Sequence, residues 1–401
     1  MRMFLTCLAA LGLFGFAATG FAQGPKLDPE IATLVQSNSE FATNLYQKVA
    51  DKEGNLFLSP YSISNALAMT YAGARGNTAN EMKTTLRFSL EGDRLHPTFG
   101  KLIAKLHEKG PFQLSVANRL WGQKDYGFLP KFLKVTKDDY HAGLQEVDFI
   151  GATEQSRKTI NTWVEKQTKD KIKELIPAGV LDANSRLVLT NAIYFKAAWS
   201  TPFDVKATKP GPFHLVSNKT VETPMMHIKT RMSYGDHGSL AILDMPYVKH
   251  EQSMIVILPK EKNGLPDVER NLTAANLSKW MMKLSTHEVD LKFPKFKVTA
   301  EIKLNETLKQ MGMRDAFAFG KADFSGMATS EKLYITAVLH KAFVEVNEAG
   351  TEAAAATAIG VGTLSLPPPA TFHADRPFLF LIRDNRTGSI LFMGRVVNPA
   401  S

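Results

Sequence analysis

Glu348-Ala349-Gly350-Thr351-Glu352-Ala353-Ala354-Ala355-Ala356-Thr357 is the stretch on which the reading of this chain turns. Alanine is the strongest intrinsic helix former, yet Phe343-Val344-Glu345-Val346 just upstream alternates as a strand does. The segment is pulled towards two secondary structures, the pattern expected where one sequence has two accessible conformations. Taken alone it also fits an alanine-rich linker or a surface helix, so its meaning depends on the rest of the chain.

The 401 residues are 44% apolar and 22% charged, an ordinary globular composition with ample material for a core. Residues 1–22 read as a secretory signal peptide: Arg2 gives the positive start, Phe4 to Phe16 the apolar core, and Gly20-Phe21-Ala22 the small-x-small cleavage site. A secreted product is therefore expected, extracellular or, from a bacterial source, periplasmic. After the signal no stretch reaches the ~18 uninterrupted apolar residues of a spanning helix, so no membrane partner is expected. Cys7 is the single cysteine and lies in the signal, which leaves the remainder without a thiol or disulfide to forbid large rearrangements. Loss of Arg2 lowers the net charge from +9 to +8. Arg94, Lys101, Lys105 and Lys109 could share one side of a helix and meet a polyanion, although a solvated helix face is the simpler account of charges that recur all along the chain.

Helical spacing places Phe41, Leu45 and Val49 on one face, Asn55 to Pro60 reads as a short strand and turn, and a helix follows through Ala66, Met69 and Thr70. Residues 112–121 alternate as a half-buried strand, while Ile160, Trp163 and Val164 form an apolar helical stripe. The nearly continuous apolar run Leu187 to Trp199 predicts a central strand covered on both faces. Strands are expected at 240–248, 253–259, 287–298, 333–348, 377–383 and 389–397, with helices near 273–283 and 301–311. This is α+β in one intertwined domain, without the regular alternation of a doubly wound or TIM architecture and without an internal repeat.

Handles for catalysis are missing. There is no G-x-S-x-G elbow, no H-E-x-x-H pair, no phosphate-binding G-x-x-x-x-G-K-[ST] loop, and the histidines, among them His107, His287 and His340, lack ligand spacing. Gly360-Val361-Gly362 neither follows a strand nor opens a helix, so it is no dinucleotide fingerprint. An enzyme is not expected, nor a cofactor or metal.

Four ordered motifs then converge. Asn55-Leu56-Phe57-Leu58-Ser59-Pro60-Tyr61-Ser62-Ile63, Thr190-Asn191-Ala192-Ile193-Tyr194-Phe195-Lys196 with Trp199, the Gly350–Thr357 run, and Phe372-His373-Ala374-Asp375-Arg376-Pro377-Phe378 followed by Gly388 to Arg395 together resemble the serpins, a family of serine protease inhibitors. The likeness extends from about residue 30 to the C-terminus. It implies the serpin fold over residues 23–401, a single domain of three β-sheets with eight or nine helices and an exposed reactive-centre loop at about 348–369. It also implies that a protease attacks the loop as a substrate and that the cut loop then enters the central sheet as a new strand.

The residues can be tested against that mechanism. In a strand with Glu352 facing solvent, Thr351, Ala353, Ala355 and Thr357 point inward, followed by Ile359 and Val361, so no inward position carries a charge that insertion would have to desolvate. About ten inserted residues could make on the order of 10–20 backbone hydrogen bonds, each with a net ~0.5–1.5 kcal/mol. The family's count from the hinge glutamate places the scissile bond at Leu364–Ser365, and Pro367-Pro368-Pro369 stiffens the departing side. A leucine before the cut suits the hydrophobic pocket of a chymotrypsin-, elastase- or subtilisin-like serine protease better than one with a buried acid. Thr363 or Val361 could instead be presented to an elastase. By resemblance Ser59, Ser62, Asn191 and His340 form the shutter where the central sheet parts, Trp199 marks the breach where the hinge enters, and Lys295 pairs there with Glu348. The expected protein is a monomeric inhibitor, with a non-inhibitory carrier, storage protein or chaperone as the alternative.

Overall fold

The computed structural model describes residues 27–108, 110–216, 219–329, 333–351 and 368–401. Among them are nine α-helices and fifteen strands, arranged as one α+β body. The first helix, Pro29–Val49, starts where Asp28 accepts the backbone N–H of Glu30, and its buried stripe includes Phe41, Leu45 and Val49. The helix Pro60–Tyr71 is capped by the Ser59 side chain, which accepts the Ser62 N–H, and carries proline in its first turn. It is buried along nearly its whole length, as its apolar and small residues require.

The central sheet runs in the order Phe296–Lys303, Ile335–Asn347, Gly350–Thr351, Leu187–Ala198, Phe112–Gln123 and Gln145–Val147. A second, hydrogen-bonded path of nine strands divides into two sheets that share the long strand Thr220–Asp236. Its first residues, Thr220 to Met225, pair with Lys209–His214, and Met225 to Tyr234 pair with Ser285–Pro294, whose far edge carries the short strand Ala370–His373. Its last residues pair with Leu240–Pro246, which leads through Gln252–Pro259, Phe378–Asp384 and Ile390–Val396 to Leu56–Leu58. This gives three sheets, with the main core of Phe57, Phe195, Phe380 and Phe392 between the central sheet and its neighbour. A separate core on the other face of the central sheet joins Ile160 and Val164 of the helix Thr153–Gln167, and Ile172, Leu175 and Ile176 after it, to residues of both strands at the seam, including Ala192, Tyr194, Leu339 and Phe343.

Two boundaries differ from the periodicity. The apolar run 287–298 is two strands, Ser285–Pro294 and Phe296–Lys303, because the chain changes sheets at Pro294-Lys295. The helix expected at 301–311 begins only at Asn305, since Glu301 to Lys303 still pair with Leu339 to Lys341. The ladder wins over local helix propensity there. The sequence pattern assigns no element to Lys209–His214 and Thr220–Asp236, two strands in which Pro210 and Pro224 stand opposite each other in one ladder.

Candidate functional site

The seam between Leu187–Ala198 and Ile335–Asn347 is the centre of the site. Over most of its length the two strands pair directly and in parallel, from Ile335 opposite Leu187 to Phe343 opposite Tyr194. Beyond Phe343 they separate, and the two-residue strand Gly350–Thr351 lies between them. It is antiparallel to both: Thr351 opposes Val346 on one side and Ala197 on the other, and Gly350 opposes Asn347 and Ala198. The first pair of residues of the hinge is thus already a sheet strand.

Sequence explains why these two residues fit. Gly350 has φ +147°, and a Cβ there would lie 2.2 Å from the carbonyl oxygen of Ala197 and 2.7 Å from Ala198 Cα. Only glycine allows the backbones to come so close. Thr351 is fully buried, and its hydroxyl meets the Tyr247 hydroxyl at 2.8 Å. The Tyr247 ring stacks on Trp199 with centroids 4.6 Å apart and planes 6° from parallel, and burial pushes its phenol pKa up, so the hydroxyl keeps its proton. Trp199 also donates from its indole N–H to the Asn347 carbonyl and from its backbone N–H to that of Ala349. It closes the top of the seam and holds the turn that feeds the hinge.

Glu348 sits in that turn, with a side chain only 10% exposed. Burial raises its carboxyl pKa, but hydrogen bonds from its own backbone, Lys295 and Thr208 outweigh burial and hold it below the usual carboxylate value. Lys295 Nζ lies 3.0 Å from Oε2, and Thr208 donates to Oε1 at 2.9 Å. The Glu348 carbonyl accepts the N–H of Phe203 as well.

Below the wedge, Asn118, Asn191 and His340 form one row across three strands, in register with one another. The Ser59 N–H donates to His340 Nε2, which leaves the ring proton on Nδ1 to be donated to Asn191 Oδ1. Asn191 Nδ2 donates to Ser62 Oγ and to Asn118 Oδ1 at 2.7 and 2.6 Å. Ser62 Oγ donates to Asn118 Oδ1, Asn118 Nδ2 to the Ser62 carbonyl, and Ser59 Oγ to the Leu391 carbonyl. Burial lowers the His340 pKa to about 3, so the ring is neutral in this network. A closed set of this kind ties the helix Pro60–Tyr71 to the three strands and links both sides of the seam.

The structure therefore brings together Ser59, Ser62, Asn191 and His340 as one cluster and Trp199, Lys295, Glu348, Gly350 and Thr351 as another. Glu352, Ala353, Ala354, Ala355, Ala356, Thr357 and the bond Leu364–Ser365 lie outside the described residues. Sequence reading missed Asn118, Tyr247 and Thr208. Asn118 could have been found from its place in a strand whose neighbours are apolar; Thr208 lies in a segment with no periodic signal, and Tyr247, although inside the strand expected at 240–248, carries no local sign of its stacking on Trp199. In the basic helix Gly92–Leu106, Lys101 pairs with Asp28 at 3.0 Å and Arg94 approaches Glu30 at 3.8 Å, so part of that charge is met within the protein.

Residues 36–399 match the serpin family, described as serine protease inhibitors. The leukocyte elastase inhibitor of Homo sapiens is 43% identical over 378 residues, covering 91% of this chain and 99% of that protein. Among solved structures, Serpin48 of the insect Tenebrio molitor superposes with a TM-score of 0.82 at 30% identity, covering 94% of this chain and all of that one. Human thyroxine-binding globulin in complex with thyroxine gives 0.83 at 35% identity, covering 92% and 99%. The chain belongs to the serpin family. It has the serpin fold, and the members of the family described by that match are protease inhibitors.

Proposed function

We propose that this protein is a secreted suicide-substrate inhibitor of serine proteases with hydrophobic primary specificity, elastase-like first and chymotrypsin- or subtilisin-like next. The protease attacks the Leu364–Ser365 bond, and the acyl-enzyme carries the loop's N-terminal half as it enters the central sheet. The observation that carries this reading is Gly350–Thr351, paired on both sides between strands that otherwise touch. Each further residue that follows would replace a parallel contact by two antiparallel ones, the slightly stronger pairing. Because the parallel ladder is lost, the gain is about one new ladder, on the order of 10 hydrogen bonds or ~5–15 kcal/mol in total.

Moving a tethered protease by even ~1 Å at its catalytic groups can slow deacylation about 100-fold. Inhibition then depends on insertion outrunning hydrolysis. The inward sequence of small residues after Thr351 favours insertion, and the name of the human relative, an elastase inhibitor, favours the elastase class. Residues 1–22, read as a signal, support export, and the reading needs no cofactor, metal or polyanion.

Mixing the protein with pancreatic elastase or chymotrypsin tests the proposal. A covalent complex that survives denaturing electrophoresis is expected; cleaved protein with fully active protease would favour the carrier, storage or chaperone alternative. Leu364→Arg is expected to transfer inhibition to trypsin-like proteases, and mass spectrometry of the released C-terminal peptide beginning elsewhere than Ser365 would overturn the assigned bond.

A further inference from the structure

Away from the seam, one face of the sheet that carries Ala370–His373 holds a row of basic side chains. His227, Lys292 and His373 occupy matching positions on three adjacent strands, with Lys292 in the middle. Strand pairing does not call for three basic side chains in register, so the row is not explained by the ladder. Asp290 offsets it only in part. Its Oδ1 lies 3.0 Å from His227 Nε2 and 3.4 Å from His373 Nε2, while its Oδ2 is 3.3 Å from Lys229. Among the described residues Lys292 has no carboxylate within ion-pair distance, and neither do Lys206 and Lys209, which flank the same cavity.

That cavity has a volume of about 550 Å³. Its cationic groups stand beside an apolar wall of Ala207, Pro210, Pro212 and Met225. Among the described residues the one acid in the lining, Asp375, already accepts Arg376 Nη1. An apolar enclosure of this size with a few convergent polar groups is the ordinary form of a small-molecule site, and here the surplus charge is positive.

We propose that this pocket binds an organic anion, its carboxylate, sulfate or phosphate head against Lys292 and Lys209 and its apolar body on Met225 and Pro212. The site is independent of the inhibitory reading and stands whether or not the loop traps a protease. Decanoate below its micellar concentration is the probe, titrated calorimetrically into the intact protein, with decanol and inorganic pyrophosphate as the other arms. Decanoate should bind, about tenfold more weakly in Lys292→Glu, as loss of one charge-assisted hydrogen bond predicts. Lys209→Glu, on a different strand, should weaken it in the same direction and decides the matter if the first variant fails to fold. Decanol and pyrophosphate should each bind about tenfold more weakly than decanoate, since each lacks one half of the ligand. The proposal is overturned if decanoate does not bind, if both variants bind it as the unmodified protein does, if decanol matches it, which would leave only an apolar cavity, or if pyrophosphate matches it, which would leave only a general oxyanion site.

Discussion

The two ends of the seam between Leu187–Ala198 and Ile335–Asn347 are built in opposite ways. At the top the strands are held apart by Gly350–Thr351 and closed over by Trp199 and Tyr247, with a glycine that permits backbone contact and a threonine small enough to be buried. In the middle the same strands are zipped together and crossed by His340 and Asn191, whose hydrogen bonds reach Ser59, Ser62 and Asn118. Under the proposed mechanism one end is where insertion would start, with no new nucleus needed, and the other is its barrier, where a satisfied buried polar cluster would have to be broken before backbone bonds are regained.

The largest change should come from spoiling the open end. Thr351→Arg would put a charge into a site with no room for it and none of its partners, at a cost of several kcal/mol. The hinge should leave the sheet, and the number of inhibitor molecules consumed per protease trapped should rise by about tenfold or more, measured by titration of residual protease activity. Gly350→Val should act in the same direction through its clash with the Ala197 carbonyl. Unchanged titration endpoints would mean that this pair is not where insertion starts.

Weakening the closed end should do the reverse. Asn191→Ala orphans the buried His340 Nδ1–H, at ~1–3 kcal/mol, and removes one of the bonds that Ser62 and Asn118 each make while leaving them bonded to each other. The uncut protein should melt several degrees lower and convert more quickly to an inserted or associated form, seen by native electrophoresis after mild heating. A variant that melts at the original temperature would separate the cluster from the barrier.

The pH dependence is smaller and has a definite sign. His340 and His96 are held by burial at about 3 and about 4, below the ordinary value near 6.5. Between those limits the unfolded chain binds protons that the folded one does not, so stability is fully present above pH ~6.5 and is lost as pH falls, by up to ~1.4 kcal/mol per pH unit for each histidine. His340→Gln can accept from Ser59 and donate to Asn191, and it should remove one histidine's share of that slope in denaturant melts from pH 7 to 4. An unaltered slope would show that the ring is not neutral in the cluster. Least of all should follow from Lys295→Ala: its ion pair with Glu348 is 39% exposed on the lysine side, and such pairs contribute ~0–1 kcal/mol. A large loss of inhibition from that change would assign the breach a role beyond anchoring.

Much of this arrangement can be read from residues before any coordinates. The inward phase given to Thr351 corresponds to its buried place opposite Ala197, as the two-residue period of a strand requires. The run Leu187 to Trp199 shows its double burial by having no polar face. What could not be read is what tertiary register alone brings about. Asn118 is a polar residue in the apolar phase of Phe112, Leu114, Val116 and Leu120, and it finds its purpose only when Asn191 is set beside it. Thr208 lies in an irregular segment, Tyr247 reads only as the end of a strand until it is stacked on Trp199, and Pro210 and Pro224, opposite each other in one ladder, show a strand that no periodic pattern announces.

The central claim is that the uncut chain holds driving force in its loop, and heat resistance before and after nicking measures it most directly. A protease that cuts the loop without being trapped would supply the nicked protein, and calorimetry would compare the two forms. A gain near 10 kcal/mol, at ~1.3 °C per kcal/mol for a chain of about 380 residues, predicts that nicked protein melts on the order of 10 °C above intact protein. Equal melting temperatures would contradict the account.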